Sequence, residues 1–558
     1  MGSDYQVSRC VLQRIPAGQL VGFLLSVLLL QVQAAVAADD TVSDLVDRNV
    51  SAGSRDEVTV VESINHWLHL GYVNRGVDPS ERCSDGDFVR RIYLDLAGRI
   101  PTENELAVWQ QSSYDRNQLI DQILASEDFV QHFADLFDAL LMGRASEEKY
   151  HERQQSQWRA YLENVIRKRR SWGQVVEEIL LARPEEEAEK GSVWFLYERN
   201  DDYQKMAEAI SPSIFGVRIE CAQCHDHMMA DEIKQSHYWG LVAFFNRSKN
   251  SQQGGGPSLS ESAIGGFSEF ADLDGSSTPN YLTFLDAETV DEDRPENPGE
   301  QKESDELYFE HASSLIGRVP KFSRREKFVK EVVRDHPRLA RAFVNRVWAI
   351  LMGRGLVHPF DEMDSMHAPS HPELLDWLSE DLRQHEYDLH RLVRGIVQSD
   401  AYQQTSKRRQ GIEDPASFAW YLERPLTGEQ LARSTLVALQ GSDQRDAISL
   451  FRQQFPDVLP NDYIATVKDA LFLSNSQAYD QLIASSNHDD HLIPRMLKLV
   501  DRTQQVESLF RVIYGRRPDQ EELKAVAAYL DARAGDASGA MQQVIWSMLS
   551  SAEFRLNH

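Results

Sequence analysis

Two cysteines and a histidine, Cys221, Cys224 and His225, stand at the spacing C-x-x-C-H. Two thiols at this spacing can each add to a vinyl group of haem, and the adjacent imidazole can ligate the iron. The motif therefore predicts one covalent c-type haem, with His225 as the proximal iron ligand.

The same residues allow two other kinds of site. Cys221, Cys224, His225 and His227 lie within seven residues and are all competent ligands, so they could bind zinc or another metal. The two cysteines could also form a redox or structural disulfide. A thioredoxin-like site, however, needs a βαβ setting, and this region has a helical pattern.

The sixth ligand of a haem iron is not assigned by the sequence. Met228 and Met229 follow His225 too closely for the chain to reach the opposite face of the ring. A distal ligand must come from elsewhere, or the position is open. The candidates are Met206, His237, His66 and His69.

A second polar cluster lies in a proline-rich loop of the C-terminal half. Carboxylates and imidazoles together could form a metal or catalytic site, but a solvated connector between helices is the expectation here. No nucleophile elbow, phosphate-binding loop or H-E-x-x-H motif is present, although paired carboxylates of a hydrolase leave no local signature. The cluster consists of His358, Asp361, Glu362, Asp364, His367 and His371.

The first 38 residues resemble a secretory signal peptide. Arg9 and Arg14 precede a short apolar stretch at 21–30, and small residues follow at 34–38. We expect residues 1–38 to be removed and residues 39–56 to be a flexible leader, although an uncleaved membrane anchor is the alternative. The mature chain should then be exported, to the periplasm or outside the cell, with no transmembrane span.

Composition excludes several classes of protein. The 558 residues carry 59 Lys plus Arg against 87 Asp plus Glu, a formal net charge of −28, so a nucleic-acid partner is not expected. Hydrophobic residues make up 42%, which is enough for a packed core. Four cysteines are too few for a disulfide scaffold.

Hydrophobic periodicity predicts an all-α fold in two halves. Helical patterns dominate residues 57–248, which contain the C-x-x-C-H motif, and residues 311–558. Between them, residues 249–310 are rich in Gly, Ser, Pro and acidic side chains, which predicts a long linker or irregular excursion. The expectation is two helical domains joined by that linker.

Two local patterns recur along the chain. Residues 98–106 and 515–523 both read Gly-Arg-x-Pro followed by a capping residue and, three positions later, Glu. An apolar residue, a Ser cap and an aromatic residue also recur with the same spacing. Recurrent helix-cap chemistry is one explanation, and related helical units in the two halves is the other. The second pattern comprises Leu124, Ser126 and Phe129; Val397, Ser399 and Tyr402; and Leu549, Ser551 and Phe554.

Several longer motifs resemble a known family of secreted planctomycete proteins. Residues 88–102 (FVRRIYLDLAGRIPT) and 216–227 (GVRIECAQCHDH) resemble its cytochrome-c-like domain, the domain of unknown function 1549. Residues 342–357, 370–378 and 551–558 resemble its partner, the domain of unknown function 1553.

The resemblance implies an exported bacterial protein whose activity is undefined. One departure follows the motif: the family continues into Pro and an aromatic residue where this chain has Met228 and Met229. The favoured function is electron transfer, or service as the redox subunit of a secreted assembly with an unidentified protein partner. The alternatives are a non-redox binding or assembly protein with a zinc or structural Cys/His cluster and, third, a secreted hydrolase of extracellular polymer.

Overall fold

The computed structural model describes the chain from residue 58 onward, so the predicted signal peptide (1–38) and leader (39–56) lie outside the described residues. The described residues are 58–111, 115–253, 255–271, 273–310, 315–440, 448–455, 472–484 and 490–558.

Eleven named helices build the first part of the chain. Several begin at a side chain that caps them: Ser84, Asp115 and Ser126 each accept a hydrogen bond from a backbone N–H two or three positions on. The helices are α1 (Val60–Arg75), α2 (Asp85–Ile92), α3 (Glu103–Gln111), α4 (Arg116–Leu124), α5 (Glu127–Met142), α6 (Glu147–Gln155), α7 (Trp158–Arg167), α8 (Trp172–Leu181), α9 (Trp194–Tyr197), α10 (Tyr203–Ile210) and α11 (Gln235–Phe245).

A second series of helices follows the strands of the middle segment. Pro337 and Pro372 each occupy the first helical position, where a missing N–H costs nothing. The helices are α12 (Arg324–Lys327), α13 (Pro337–Met352), α14 (Pro372–Gln384), α15 (Leu389–Gln398), α16 (Gly428–Gln440), α17 (Ile448–Arg452), α18 (Gln477–Ala484), α19 (Leu492–Leu497), α20 (Arg502–Tyr514), α21 (Gln520–Ala532), α22 (Ala537–Leu549) and α23 (Ala552–Arg555).

Short 3-10 and π turns link several of these helices. The π turns extend α2, α10 and α12, and the first two end at Gly98 and Gly216 in the left-handed region. A Cβ at Gly98 would lie 2.5 Å from Nδ1 of His132, so only glycine fits this turn. The π turns are Tyr93–Ala97, Ser211–Phe215 and Phe328–Val333; the 3-10 turns are Glu187–Val193, Glu220–Gln223, Pro298–Glu300, Asp305–Leu307, Pro415–Ser417 and Ala534–Asp536.

In the described residues, three antiparallel sheets of two strands each accompany the helices, so the expectation of an all-α fold is wrong. Ser248 pairs with Glu261 and Gln253 with Gly256 in the first hairpin. These strands are short and rich in Ser, Gln and Gly, and therefore carry no alternating hydrophobic signal. The sheets are β1 (Ser248–Gln253) with β2 (Gly256–Glu261), β3 (Glu269–Ala271) with β4 (Ser277–Pro279), and β5 (Arg424–Pro425) with β6 (Leu556–Asn557).

The expectation of a linker at 249–310 is also wrong for the described part of that segment. Leu259 and Phe284 are buried in the main hydrophobic cluster, and the Phe284 ring packs edge-on against Phe215. Buried Glu261 accepts hydrogen bonds from the Ser323 hydroxyl at 2.7 Å and the Arg324 backbone N–H at 2.7 Å. The composition of the segment could not reveal these partners, because Phe215 lies before it and Ser323 and Arg324 lie after it.

The hydrophobic core forms two clusters within one compact unit, Val60–His558. The larger cluster draws residues from both sides of 249–310, up to Tyr421. The smaller cluster uses residues from Leu426 onward together with Leu94 and Ile100. The prediction that helices dominate is therefore confirmed, but the core does not divide at the expected linker. Among the described residues, no helix combines the length and apolar character needed to span a membrane.

Candidate functional site

The C-x-x-C-H motif forms a tight turn at the protein surface. Cys221 lies within the 3-10 turn Glu220–Gln223, and Cys224 follows it directly. Both cysteines are exposed and carry free thiols, whereas Ala222 between them is fully buried. The turn is therefore anchored through its centre, and both thiols face solvent.

The helix that follows the motif braces it. The Gln223 carbonyl accepts hydrogen bonds from Trp239 Nε1 at 3.0 Å and from Gln235 Nε2 at 3.2 Å. Asp226 Oδ1 accepts a bond from the backbone N–H of Gln235 at 2.8 Å, at the start of α11. A carboxylate is favoured at this positive end of a helix. Three hydrogen bonds thus fix the turn to α11.

His225 has one ring nitrogen engaged with the backbone. Its Nδ1 lies 2.7 Å from the carbonyl oxygen of Asp226. Because a carbonyl only accepts, Nδ1 must carry the proton, and the neutral ring then presents an unprotonated Nε2. Among the described residues no hydrogen bond to this Nε2 is present. Such a backbone hydrogen bond on one nitrogen is how proteins commonly prepare the other for a metal.

His227 has the opposite arrangement. Its Nδ1 accepts hydrogen bonds from the backbone N–H groups of Met229 at 3.3 Å and Ala230 at 2.9 Å. The proton must therefore lie on Nε2 in the neutral ring, and Nδ1 is occupied. His237 is similar, because its Nδ1 accepts from the Lys234 N–H at 3.2 Å. In this conformation neither histidine presents a free lone pair to a metal.

The described residues contain no group of three or more His, Cys, Asp or Glu side chains arranged to hold a metal ion. The structure therefore does not bring Cys221, Cys224, His225 and His227 together as a formed four-ligand zinc site. Zinc at this motif stays a prediction, as does haem. Met228 and Met229 beside the motif are 81% and 63% exposed.

The second polar cluster packs against the motif loop, although the two lie more than 130 positions apart in the sequence. Arg218 donates two hydrogen bonds to Asp361 Oδ2, at 2.6 and 2.9 Å. The backbone N–H of Met363 donates to the carbonyl of Gly216 at 2.8 Å. The loop at 358–371 thus contacts the chain just before the two cysteines.

A second pair of contacts joins the same loop to the chain after the motif. Ser365 donates to Glu232 through its backbone N–H at 2.6 Å and its hydroxyl at 2.8 Å. Partial burial favours the neutral acid, but these and other hydrogen bonds lower the pKa of Glu232 overall. The hydrogen bonds that Arg218 donates to Asp361 raise the pKa of Arg218 above its usual value. The 358–371 loop is therefore more than a solvated connector, because it forms hydrogen bonds with the chain both before and after the C-x-x-C-H motif.

Of the histidines in this loop, His367 contacts residues of the loop itself, whereas His371 contacts α1. His367 Nδ1 lies 2.8 Å from Asp364 Oδ1, and its Nε2 lies 3.5 Å from Glu362. His371 Nε2 bonds to Arg75 at 2.9 Å, and burial lowers the pKa of His371 to about 4. The two histidines hold the loop conformation, and they do not converge on one point.

The candidate distal ligands lie on three different helices, α1, α10 and α11. Met206 is fully buried in the main cluster. His66 and His69 lie on the exposed side of α1. His237 is half-buried on α11, where burial lowers its pKa. No hydrogen bond or ring contact among the described residues joins any of them to His225, so the sixth ligand of a haem iron is not assigned.

Sequence reasoning missed the residues that support the motif. Arg218 stands within the 216–227 stretch that resembles the family, but that resemblance does not identify Asp361 as its partner. Glu232 and Trp239 have no motif of their own, and Ser365, the partner of Glu232, is remote in sequence. The clustering of Asp361 and Glu362 in one short loop was the only sequence feature that indicated a role for this region. It did not indicate which segment the loop contacts.

Comparison with protein families identifies two domains in this chain. Residues 63–250 match PSCyt2, a protein of unknown function (DUF1549). Residues 324–460 match PSD1, a protein of unknown function (DUF1553). Comparison with curated proteins and with solved structures gave no significant match. The resemblance to this domain pair is confirmed.

Proposed function

We propose that this chain, which carries the paired DUF1549 and DUF1553 domains, is an exported c-type haem protein. Cys221 and Cys224 would hold one haem covalently, and His225 would be the proximal ligand. Its function would be electron transfer with a protein partner.

The contact between His225 Nδ1 and the Asp226 carbonyl oxygen is the observation that carries this proposal. The hydrogen bond from Nδ1 to the Asp226 carbonyl leaves Nε2 as the free lone pair. His227 holds its Nδ1 in two backbone bonds. One prepared histidine next to two free thiols fits a haem better than it fits four-ligand zinc, which needs both histidines.

The turn also suits covalent attachment to two thioethers. Both thiols are exposed, and buried Ala222 with the bonds from α11 holds the backbone between them in place. A bound haem would supply a one-electron iron couple at this surface. The exposed motif would leave that couple open to a partner protein, which a single-haem carrier requires.

The first test is a pyridine haemochrome spectrum of the denatured full-length chain, produced by export in a host that matures c-type haem. Haem that stays with the polypeptide is the expected result. Cys221→Ser combined with Cys224→Ser should remove it. Cys83→Ser is the matched control, because Cys83 is the buried third cysteine and should leave the haem content unchanged. A folded chain without haem would contradict the proposal.

A second comparison separates haem from zinc at the same motif. His225→Gln should change the spectrum and the reduction potential of the haem protein. His227→Asn should leave both near wild type, because the Asn side chain can still accept the two backbone N–H bonds. If both variants instead lose one equivalent of zinc, measured by elemental analysis, the alternative four-ligand cluster is correct.

A further inference from the structure

The C-x-x-C-H motif and the loop at 358–371 belong to different domains of the chain. The motif lies in the DUF1549 match, residues 63–250, and the loop lies in the DUF1553 match, residues 324–460. Hydrogen bonds join the loop to the chain before the motif and to the chain after it. The motif is therefore held from both sides by a domain other than its own.

Helix α13 fixes the start of this loop. Asn345 is fully buried, and its Nδ2 donates to the carbonyls of Val357 at 3.0 Å and Phe360 at 3.2 Å. Its Oδ1 accepts the backbone N–H of Val357 at 2.8 Å. Arg338 of the same helix donates to the Met363 carbonyl at 2.6 Å. These four hydrogen bonds fix the loop backbone to α13.

The same helix also holds the chain that leads into the motif. Arg346 is 6% exposed and donates to two carbonyls of the π turn Ser211–Phe215, at 2.5 and 2.6 Å. The turn ends at Gly216. A Cβ at Gly216 would lie 2.7 Å from Met363 Sδ and 3.1 Å from Ala342 Cβ, so the turn packs directly on the loop and on α13. Helix α13 thus fixes both the loop and the segment that the loop contacts.

The part of the loop that contacts the chain after the motif is fixed by its own side chains. Asp364 Oδ1 accepts the backbone N–H of Met366 at 2.9 Å, which holds the turn that carries Ser365. Ser365 in turn bonds to both carboxylate oxygens of Glu232, through its N–H at 2.6 Å and its hydroxyl at 2.8 Å. The Glu232 carboxylate cannot rotate without breaking one of these two bonds.

We propose that Asp361 and Ser365 are positioning residues for the C-x-x-C-H motif and act through Arg218 and Glu232. The DUF1553 domain then serves as a rigid support that sets the conformation of the motif in the DUF1549 domain. The inference deepens the function proposed above and rests on it for the identity of the bound group. Such a support matters to a haem, because the orientation of the iron ligand and the solvent exposure of the site tune its potential.

Hydrogen exchange measures this positioning without haem. The backbone N–H of His227 donates to the Ile233 carbonyl at 2.9 Å, and the N–H of Ile233 donates to the Ala230 carbonyl at 3.0 Å. Such amides exchange with solvent when their segment opens locally. The measurement is deuterium uptake of peptides from residues 216–235 in the full-length protein, read by mass spectrometry.

Two double variants of the loop test the proposal. Asp361→Ala with Ser365→Ala, the alanine pair, removes the carboxylate from Arg218 and the hydroxyl from Glu232. We expect amides in 216–235 to exchange about tenfold faster in this variant, because hydrogen bonds to charged groups are lost. Asp361→Asn with Ser365→Thr, the conservative pair, keeps the acceptor oxygen and the hydroxyl and should exchange like wild type.

Asp121→Ala is the matched control, because it breaks an ion pair between α4 and α15 and should leave exchange at 216–235 unchanged. Three results overturn the proposal. The first is wild-type exchange at 216–235 in the alanine pair, and the second is an equal rise in exchange throughout the chain. The third is a conservative pair that exchanges as fast as the alanine pair.

The reduction potential of the haem-loaded protein gives a second measurement. Both double variants lose the same negative charge, so a difference in potential between them comes from position and not from charge. We expect the alanine pair to differ from wild type more than the conservative pair does. Equal potentials would show that the loop does not position the motif for haem. A chain without haem contradicts the function proposed above, and exchange at 216–235 then still decides whether the loop positions the motif.

Discussion

Asp95 shows how one carboxylate can join distant parts of a chain. It is 3% exposed and accepts hydrogen bonds from the Tyr402 hydroxyl at 2.7 Å, the Tyr421 hydroxyl at 3.0 Å and the Asn557 amide at 2.7 Å. It also pairs with Arg424. The stretch at 88–102, which carries much of the family resemblance, therefore has a structural role here.

Asp95→Ala should destabilise the protein strongly. The substitution leaves the buried Arg424 guanidinium without its carboxylate, which typically costs about 3–5 kcal/mol. The free energy of unfolding from urea titration measures the loss.

Asp121→Ala is the control for that experiment. Asp121 pairs with Arg394 at 2.7 Å, but both side chains are about half exposed, so the loss should be below about 1 kcal/mol. Equal losses in the two variants would show that the Asp95 network does not stabilise the fold.

For single residues, the sequence identified side chains with suitable chemistry but did not identify the groups that surround them in the fold. Cys221, Cys224 and His225 were found from type and spacing alone. The proton positions on His225 and His227 were not predictable, because backbone groups of the folded loop set them.

Among the elements, two helical units far apart in the sequence repeat the same polar contacts. Arg99 makes two bonds of 2.9 Å to Glu105 and also contacts Asp128 at 2.6 Å. Arg516 contacts Glu522 at 2.7 and 2.8 Å and Glu553 at 2.8 Å.

The Ser caps of the two units match as well. Ser126 and Ser551 each accept a bond of 3.2 Å from the backbone N–H three positions on. In both units a left-handed glycine ends the preceding helical segment. The matching contacts favour related units over recurrent cap chemistry alone, since a helix cap does not require the second carboxylate, Asp128 or Glu553.

The two arginines should nevertheless differ in their contribution to stability. The Arg99 side chain is 11% exposed, whereas that of Arg516 is 39% exposed. Arg99→Ala should cost roughly 3 kcal/mol, because it leaves two carboxylates together without a cation. Arg516→Ala should cost at most about 1 kcal/mol, because solvent screens the exposed pair. A larger loss for Arg516, measured by urea unfolding, would contradict this order.

Helices were predictable as elements because their caps and periodicity are local. The Thr102 and Glu105 side chains bond to each other's backbone N–H groups, as the sequence pattern predicts. The strands were missed because a polar hairpin such as β1–β2 carries no local hydrophobic pattern. Acidic Glu292 was read as part of a linker, yet Arg247 and Arg324 neutralise it from outside that segment.

For the whole molecule, buried histidines link stability to pH. Burial, together with neighbouring arginines, lowers the pKa of His132 to about 3 and those of His336, His371 and His390 to about 4. The unfolded chain protonates these rings near pH 6.5. Between pH 6.5 and about 4 the unfolded state therefore binds more protons than the native state.

The free energy of unfolding should accordingly fall as the pH is lowered from 6.5 towards 4. Each histidine contributes up to about 1.4 kcal/mol per pH unit in that range. Urea unfolding at pH 7, 6 and 5 measures the slope. His132→Gln should make the slope shallower by about one proton, and the same change at exposed His151 should not. A slope that does not change in His132→Gln would contradict the assignment.

The buried Asn557–Asp95 hydrogen bond spans 462 positions of sequence. Arg91 similarly contacts the carbonyl of His558, 467 positions away. During synthesis on the ribosome these bonds cannot form until Asn557 and His558 have been made. The 88–102 segment therefore cannot complete its contacts before that point. Contacts of such long range also slow folding. A newly made chain would thus complete the hydrogen bonds of Asp95 and Arg91 only at a late stage of folding.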